Sequence, residues 1–147
     1  MIPEPYQTQC YCWGSGAGGA LGGSVKIQLS PKRFHVPRKY IQNAYAGDRR
    51  TIALASNGDA YSWGNDPLGR KCAASNKSLA RKITKLSSVL KVAHGSTHSV
   101  AIDTRGRAFS FGDAEEGKLG LKLRRRKVEL PTEINLNEKC VDAACGK

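Results

Sequence analysis

The stretch Tyr45-Ala46-Gly47-Asp48-Arg49-Arg50-Thr51-Ile52-Ala53-Leu54-Ala55-Ser56-Asn57-Gly58-Asp59-Ala60-Tyr61-Ser62-Trp63-Gly64 aligns without a gap on Ala93-His94-Gly95-Ser96-Thr97-His98-Ser99-Val100-Ala101-Ile102-Asp103-Thr104-Arg105-Gly106-Arg107-Ala108-Phe109-Ser110-Phe111-Gly112. Partial copies flank the pair. Cys10-Tyr11-Cys12-Trp13-Gly14 repeats the later half, and Val141-Asp142-Ala143-Ala144-Cys145-Gly146 repeats the opening. The spacing, roughly 50 residues, falls in the range of propellers and solenoids, whose units bury their cores against their neighbours.

Each full copy reads as a β-hairpin. Branched apolar residues alternate with small ones over Thr51 to Ala55 and Ser99 to Asp103, and Asn57-Gly58 or Arg105-Gly106 supplies the turn. The returning strand ends at Trp63 or Phe111. Ile52, Leu54, Val100 and Ile102 form one packing face, while Thr51, Ala53, Ser99 and Ala101 leave the other thin enough for a neighbouring sheet to approach. Glycine-rich turns follow at Gly18-Gly19-Ala20-Leu21-Gly22, Pro67-Leu68-Gly69 and Gly117-Lys118-Leu119-Gly120. A variable loop then leads to Pro31 or Pro131, replaced by Ala80 in the middle copy. The apolar segments Ile83 to Leu86 and Ile134 to Leu136 are expected to form the other pair of short strands.

Composition agrees with an all-β chain. Of 147 residues 39% are hydrophobic, 7% aromatic and 16 are glycine, which suits many tight turns better than a helix bundle. The net charge is +12, from 24 Lys and Arg against 12 Asp and Glu, and such a field draws a protein towards phosphate-rich or acidic partners. No apolar run reaches the roughly 20 residues that cross a membrane, and Met1 to Gln9 lacks a secretory pattern, so an intracellular protein without a membrane partner is expected. Five cysteines without secretory features point to reduced thiols.

The recurring glycine, the His-Ser strand, the Tyr-x-Trp-Gly strand, the Asn-x-x-Gly loop and the later proline together resemble the regulator of chromosome condensation repeat. The residues that carry the likeness are Gly47, Gly58, Tyr61, Trp63, Gly64, Asn65 and Gly69, then Gly95, His98, Ser99, Gly106, Phe111, Gly112, Gly117, Leu119 and Gly120. A kelch-like propeller has a similar period but would show a paired-glycine strand before these hairpins. The resemblance implies a seven-bladed ring of four-stranded antiparallel sheets, whereas 147 residues supply about three blades. The expectation is a single partial propeller over residues 1–147, with repeats near 9–58, 59–106 and 107–147. Its open edges invite another chain to complete or cover them, as in a fragment, a split-gene product or a module held in a larger assembly.

Catalytic and metal chemistry find little support. Cys10, Cys12 and Cys145 align with Ala60, Ser62 and Ala46, small structural positions, and their spacing matches no common zinc finger or ribbon. His98 beside Ser99 suggests a base and nucleophile, but the resemblance places His98 in a structural turn bonded to backbone, and no carboxylate is spaced to complete a triad. His94 and His35 have no repeated companion. Trp13, Trp63 and Phe111 are expected to be core pieces, and Gly18-Gly19 lacks the Gly-Lys-Ser/Thr ending of a phosphate cradle.

The basic residues recur at one phase of the repeat. Lys26, Lys32 and Arg33 fall in one copy, Arg70, Lys71, Lys77, Arg81 and Lys82 in the next, and Lys118, Lys122, Arg124, Arg125, Arg126 and Lys127 in the last. Equivalent loops of neighbouring blades emerge on one side of a propeller, so these charges are expected to gather into a basic face for nucleic acid, RNA or DNA, or for an acidic protein surface. Arg124 to Lys127 also has the form of a nuclear import signal. The reading is a non-enzymatic scaffold without cofactor, in a chromatin or ribonucleoprotein assembly of the nucleus or an organelle. The family's best-known activity, guanine-nucleotide exchange on a Ran-like GTPase, is the alternative that the resemblance implies, although no hairpin insertion supplies a wedge to displace nucleotide.

Overall fold

The computed structural model describes residues 9–23, 25–34, 40–64 and 80–146. Alternation and turn chemistry make the hairpins where they are expected. Strands β4 (Arg50–Ala55) and β5 (Ala60–Gly64) pair antiparallel, with Thr51 opposite Trp63 and Leu54 opposite Ala60. The Gly58 N–H donates to the Ala55 carbonyl at 2.9 Å from a φ of +78°, a left-handed position that glycine occupies without penalty. Strands β8 (His98–Asp103) and β9 (Ala108–Asp113) repeat the unit, and the Asp103 carboxylate fastens their turn. It accepts the Arg105 and Arg107 backbone N–H groups at 2.9 Å each and pairs with the Arg107 guanidinium at 2.7 Å.

Around the first hairpin, β3 (Ile41–Ala46) and β6 (Arg81–Lys82) complete a four-stranded sheet in the order β3-β4-β5-β6. Around the second, β7 (Val89–His94) and β10 (Lys127–Glu133) give the order β10-β9-β8-β7. Two further strands, β1 (Cys10–Ser15) and β2 (Ile27–Phe34), form a two-stranded sheet. These are the counterparts of β9 and β10. The Cys12 thiol donates to the Leu21 carbonyl at 3.6 Å where the Ser110 hydroxyl donates to that of Leu119 at 2.7 Å.

The sheets interlock through complementary faces. Ile52 and Leu54 of β4 enter a fully buried cluster with Val89 and Val92 of β7, Ala101 of β8 and Phe111 of β9, and small Ala101 leaves room for them. On the opposite face of the middle sheet, Ala53, Ala55, Ile41, Tyr61 and Trp63 pack against Cys10 and Phe34 of the first. The Phe34 and Trp63 rings stack at 4.6 Å, and the indole N–H of Trp63 donates to the Ala20 carbonyl at 2.8 Å.

Three expectations need correction. The segments Ile83 to Leu86 and Ile134 to Leu136 are not strands: the fourth strands end just before them, and Ile83 and Ile134 each donate one backbone bond to the preceding ladder. Lys85 and Ser88, with φ of +66° and +54°, break the extended chain after Ile83. Pro131 lies within β10, where the register slips between Val128 and Thr132 and the missing N–H costs no ladder bond. His98 opens β8 instead of sitting in a turn, and its Nδ1 has no hydrogen-bond partner among the described residues. Trp63 and Phe111 are buried, but Trp13 is 61% exposed, because no described residue covers the outer face of the first sheet. Asn65 and the Pro67-Leu68-Gly69 turn lie outside the described residues.

Cationic outer strands and a buried polar link

The fourth strand of each sheet is an edge, a position where lysine and arginine discourage unwanted pairing. Pairing to the third strand fixes equivalent positions. Lys32 faces Cys12 and Arg81 faces Ser62; Arg33 faces Tyr11 and Lys82 faces Tyr61. In the last sheet these two positions are Thr132 and Glu133, opposite Ser110 and Phe109. The basic recurrence therefore covers two sheets and shifts in the third to the connector and strand start holding Lys122, Arg124, Arg125, Arg126 and Lys127, all exposed. Exposed Glu129 and Glu133 share β10 with Lys127.

The cations divide by their partners. Lys82 pairs with Asp59 at 2.8 Å and Lys118 with Asp113 at 2.9 Å, hydrogen bonds that hold both ammonium groups above their ordinary pKa and tie down local turns. Lys26, Lys32, Arg33, Arg81, Lys122, Arg124, Arg125, Arg126 and Lys127 form no ion pair with described residues, which leaves their charge available to an outside anion. Lys32, Arg33, Arg81 and Lys127 stand on strands, not in loops. Arg70, Lys71 and Lys77 lie outside the described residues, as does His35.

A second polar feature joins the two complete sheets. The Arg50 Nε–H donates to Nε2 of His94 at 2.7 Å, and Nδ1 of His94 stands 2.8 Å from the Ser99 hydroxyl. An accepting Nε2 places the ring's only proton on Nδ1, so neutral His94 donates to Ser99 and cannot take its proton. Ser99 is also fully buried, and the pair is a structural link across the seam. Close packing preserves it, since a Cβ on Gly47 would meet the His94 ring at 2.1 Å. Nothing local in the sequence announces a contact between residues 44 apart.

Burial, then the nearby charges of Arg50 and His98, holds His94 down at about 3 against an ordinary value of 6.5. Burial, Lys118 and Arg50 also lower His98. A histidine kept neutral in the fold contributes fully above about pH 6.5, and that contribution drains away as pH falls towards 3. Melting between pH 7.5 and 4 is expected to show a Tm loss of several degrees that His94→Gln reduces. Equal pH dependence in the two proteins would refute the role of this seam.

Stacked antiparallel sheets, the second and third each bringing the aromatic of its inner hairpin, Trp63 or Phe111, against the sheet before it, are blades of a β-propeller; the chain is an all-β partial propeller. Its particular kind follows from comparison. Residues 105–147 match the family model of the regulator of chromosome condensation repeat, and the chain is built from repeats of this family. It is 30% identical over 132 residues to the human protein Regulator of chromosome condensation, an alignment covering 86% of this chain and 31% of that protein. It is 28% identical over 146 residues to human E3 ubiquitin-protein ligase HERC2, covering 92% of this chain and 3% of the ligase. The crystal structure of Prp20p from Saccharomyces cerevisiae superposes with a TM-score of 0.81 at 26% identity, over 96% of this chain and 38% of that one. The chain thus spans about a third of the first of these relatives. Proteins as different as a condensation regulator and a ligase share these repeats, so function must be argued from the surface.

Proposed function

We propose that this chain is a docking module without a catalytic centre of its own, whose cationic outer strands and connector hold nucleic acid, or an acidic protein surface, in a nuclear chromatin or ribonucleoprotein assembly. The observation that carries this is the exposed run Lys122 to Lys127, five cations that form no ion pair with described residues. Lys32, Arg33 and Arg81 extend the same charge to the counterpart strands. The structure of Prp20p was reported with its binding properties to histones, which supports a chromatin setting. Phosphates are the expected contacts, so affinity is weakly selective for sequence and falls steeply with salt, by about 0.9 log units per tenfold salt for each duplex phosphate contacted. A titration of single-stranded RNA and duplex DNA over a salt series checks this, and absence of saturable binding at low salt would exclude it.

A second reading, nucleotide exchange on a small GTPase, draws on the binding of Prp20p to Gsp1p. The docking reading expects no acceleration of nucleotide release across a panel of small GTPases. Acceleration of even one would favour exchange.

A further inference from the structure

The outer strand of the first sheet departs from its counterparts at one residue. In β10 the register slips between Val128 and Thr132, so that Glu129, Leu130 and Pro131 bulge opposite Phe111 alone. In β2 it slips between Gln28 and Lys32, and Leu29, Ser30 and Pro31 bulge opposite Trp13. Counted back from Lys32, Arg81 and Thr132, which pair with Cys12, Ser62 and Ser110, the equivalent residues are Ser30, Leu79 and Leu130. Leucine in two copies means that the repeat does not call for a hydroxyl here. Nor does the hydroxyl serve the fold: the Gln28 side-chain amide donates to the Ser30 carbonyl at 3.0 Å, and the Ser30 hydroxyl bonds no described residue. Leu29, Ser30, Pro31, Lys32 and Arg33 are all exposed. Leu130 is exposed too, at 44%, in a sheet that packs against the second one, so this exposure belongs to the outer-strand bulge.

The residues after Ser30 are as particular as its position. Of the six prolines only Pro31 follows a serine or threonine, and Arg33 stands three residues beyond Ser30. A proline next to an acceptor hydroxyl has no N–H to satisfy and offers a rigid apolar ring to a pocket, while the cation at the third position pairs with an anionic group of the enzyme. By these features a proline-directed serine/threonine kinase selects an extended, accessible segment. We infer that Ser30 is a phosphoryl acceptor for a kinase of this class. Its Oγ attacks the γ-phosphorus of magnesium-bound ATP as the bond from that phosphorus to the bridging oxygen breaks; ADP leaves with the electron pair, and the hydroxyl proton passes to the kinase's catalytic carboxylate. The product carries a charge of about −2 in the same stretch as Lys32 and Arg33, the two cations that form no ion pair with described residues. The acceptor site stands on Ser30 and its neighbours alone. Its consequence, weaker docking of nucleic acid on this strand, rests on the proposed docking function.

The test is to incubate the full, folded chain with magnesium-ATP and a purified cyclin-dependent kinase, an enzyme of this class, and to read the product by intact mass and by fragment mapping. One phosphate on Ser30 is expected, and Ser30→Ala should abolish it. Pro31→Ala, which keeps the acceptor but removes the ring, should slow transfer by at least about tenfold. Pro31 is exposed, so its circular dichroism spectrum should match that of the parent. No incorporation, incorporation at another residue, or an undiminished rate in Pro31→Ala would overturn the assignment. In the salt series with RNA, the phosphorylated chain should lose about 1.8 from the slope of log affinity against log salt, the share of two duplex-type contacts. Equal slopes would overturn the consequence for docking. A parent chain that binds no RNA at all would end the docking function instead, while the mass readout would still decide Ser30.

Discussion

Changing Arg124, Arg125 and Arg126 together to glutamate is expected to weaken nucleic-acid binding by about 100- to 1,000-fold near 0.1 M salt. The magnitude follows from counterion release. Each lost duplex phosphate contact removes about 0.9 from the slope of log affinity against log salt, so three contacts remove about 2.7, close to 500-fold at that concentration. The fold should be indifferent, because all three side chains are exposed and form no ion pair with described residues. The one backbone bond in the segment, from the Ala114 N–H to the Arg126 carbonyl at 2.9 Å, does not involve a side chain. Lys82→Ala and Lys118→Ala are the controls. These lysines are already neutralised by Asp59 and Asp113, and their removal should leave the salt slope nearly unchanged. A triple variant with wild-type affinity and slope would end the case for this connector as a docking site.

The parts of the fold legible in the sequence are those with a local cause. Period-two alternation and the turn glycines located β4, β5, β8 and β9, because strand and turn are decided within a dozen residues. The first and fourth strands were not legible in the same way. β10 carries Lys127, Glu129 and Glu133 outward and a proline in the middle, and nothing in Lys-Val-Glu-Leu-Pro-Thr-Glu alternates cleanly. The apolar residues Ile83 and Ile134 drew attention to the wrong segments, since they pack just beyond the strands they appeared to define. The candidate site shows the same limit. Cations can be counted in a sequence, but that Lys82 and Lys118 are occupied by carboxylates, or that Arg50 reaches across a seam to His94, depends on contacts made only in the fold.

Phe111 and Trp13 hold the same repeat position, yet Phe111→Ala is expected to cost about 3–5 kcal/mol and Trp13→Ala less than about 1 kcal/mol. Sequence gives no ground for the difference, and stacking order gives a direct one. Phe111 is 1% exposed and lies among Ile52, Leu54, Ile83 and Val92, so its removal opens a cavity between two sheets that cannot collapse without moving both. Trp13 is 61% exposed, and its truncation uncovers little that water does not already reach. Trp63 falls between them, losing its stack on Phe34 and its bond to the Ala20 carbonyl. Against a total stability of about 5–15 kcal/mol, the Phe111 loss alone is a large fraction of what holds such a chain folded. Denaturant melts of the three variants test the ranking, and a Trp13→Ala loss matching that of Phe111→Ala would show that the outer face of β1 is buried in solution. That outcome would place another sheet against β1, because Phe111 is protected in the same manner by Ile52, Leu54 and Ile83 of the preceding blade.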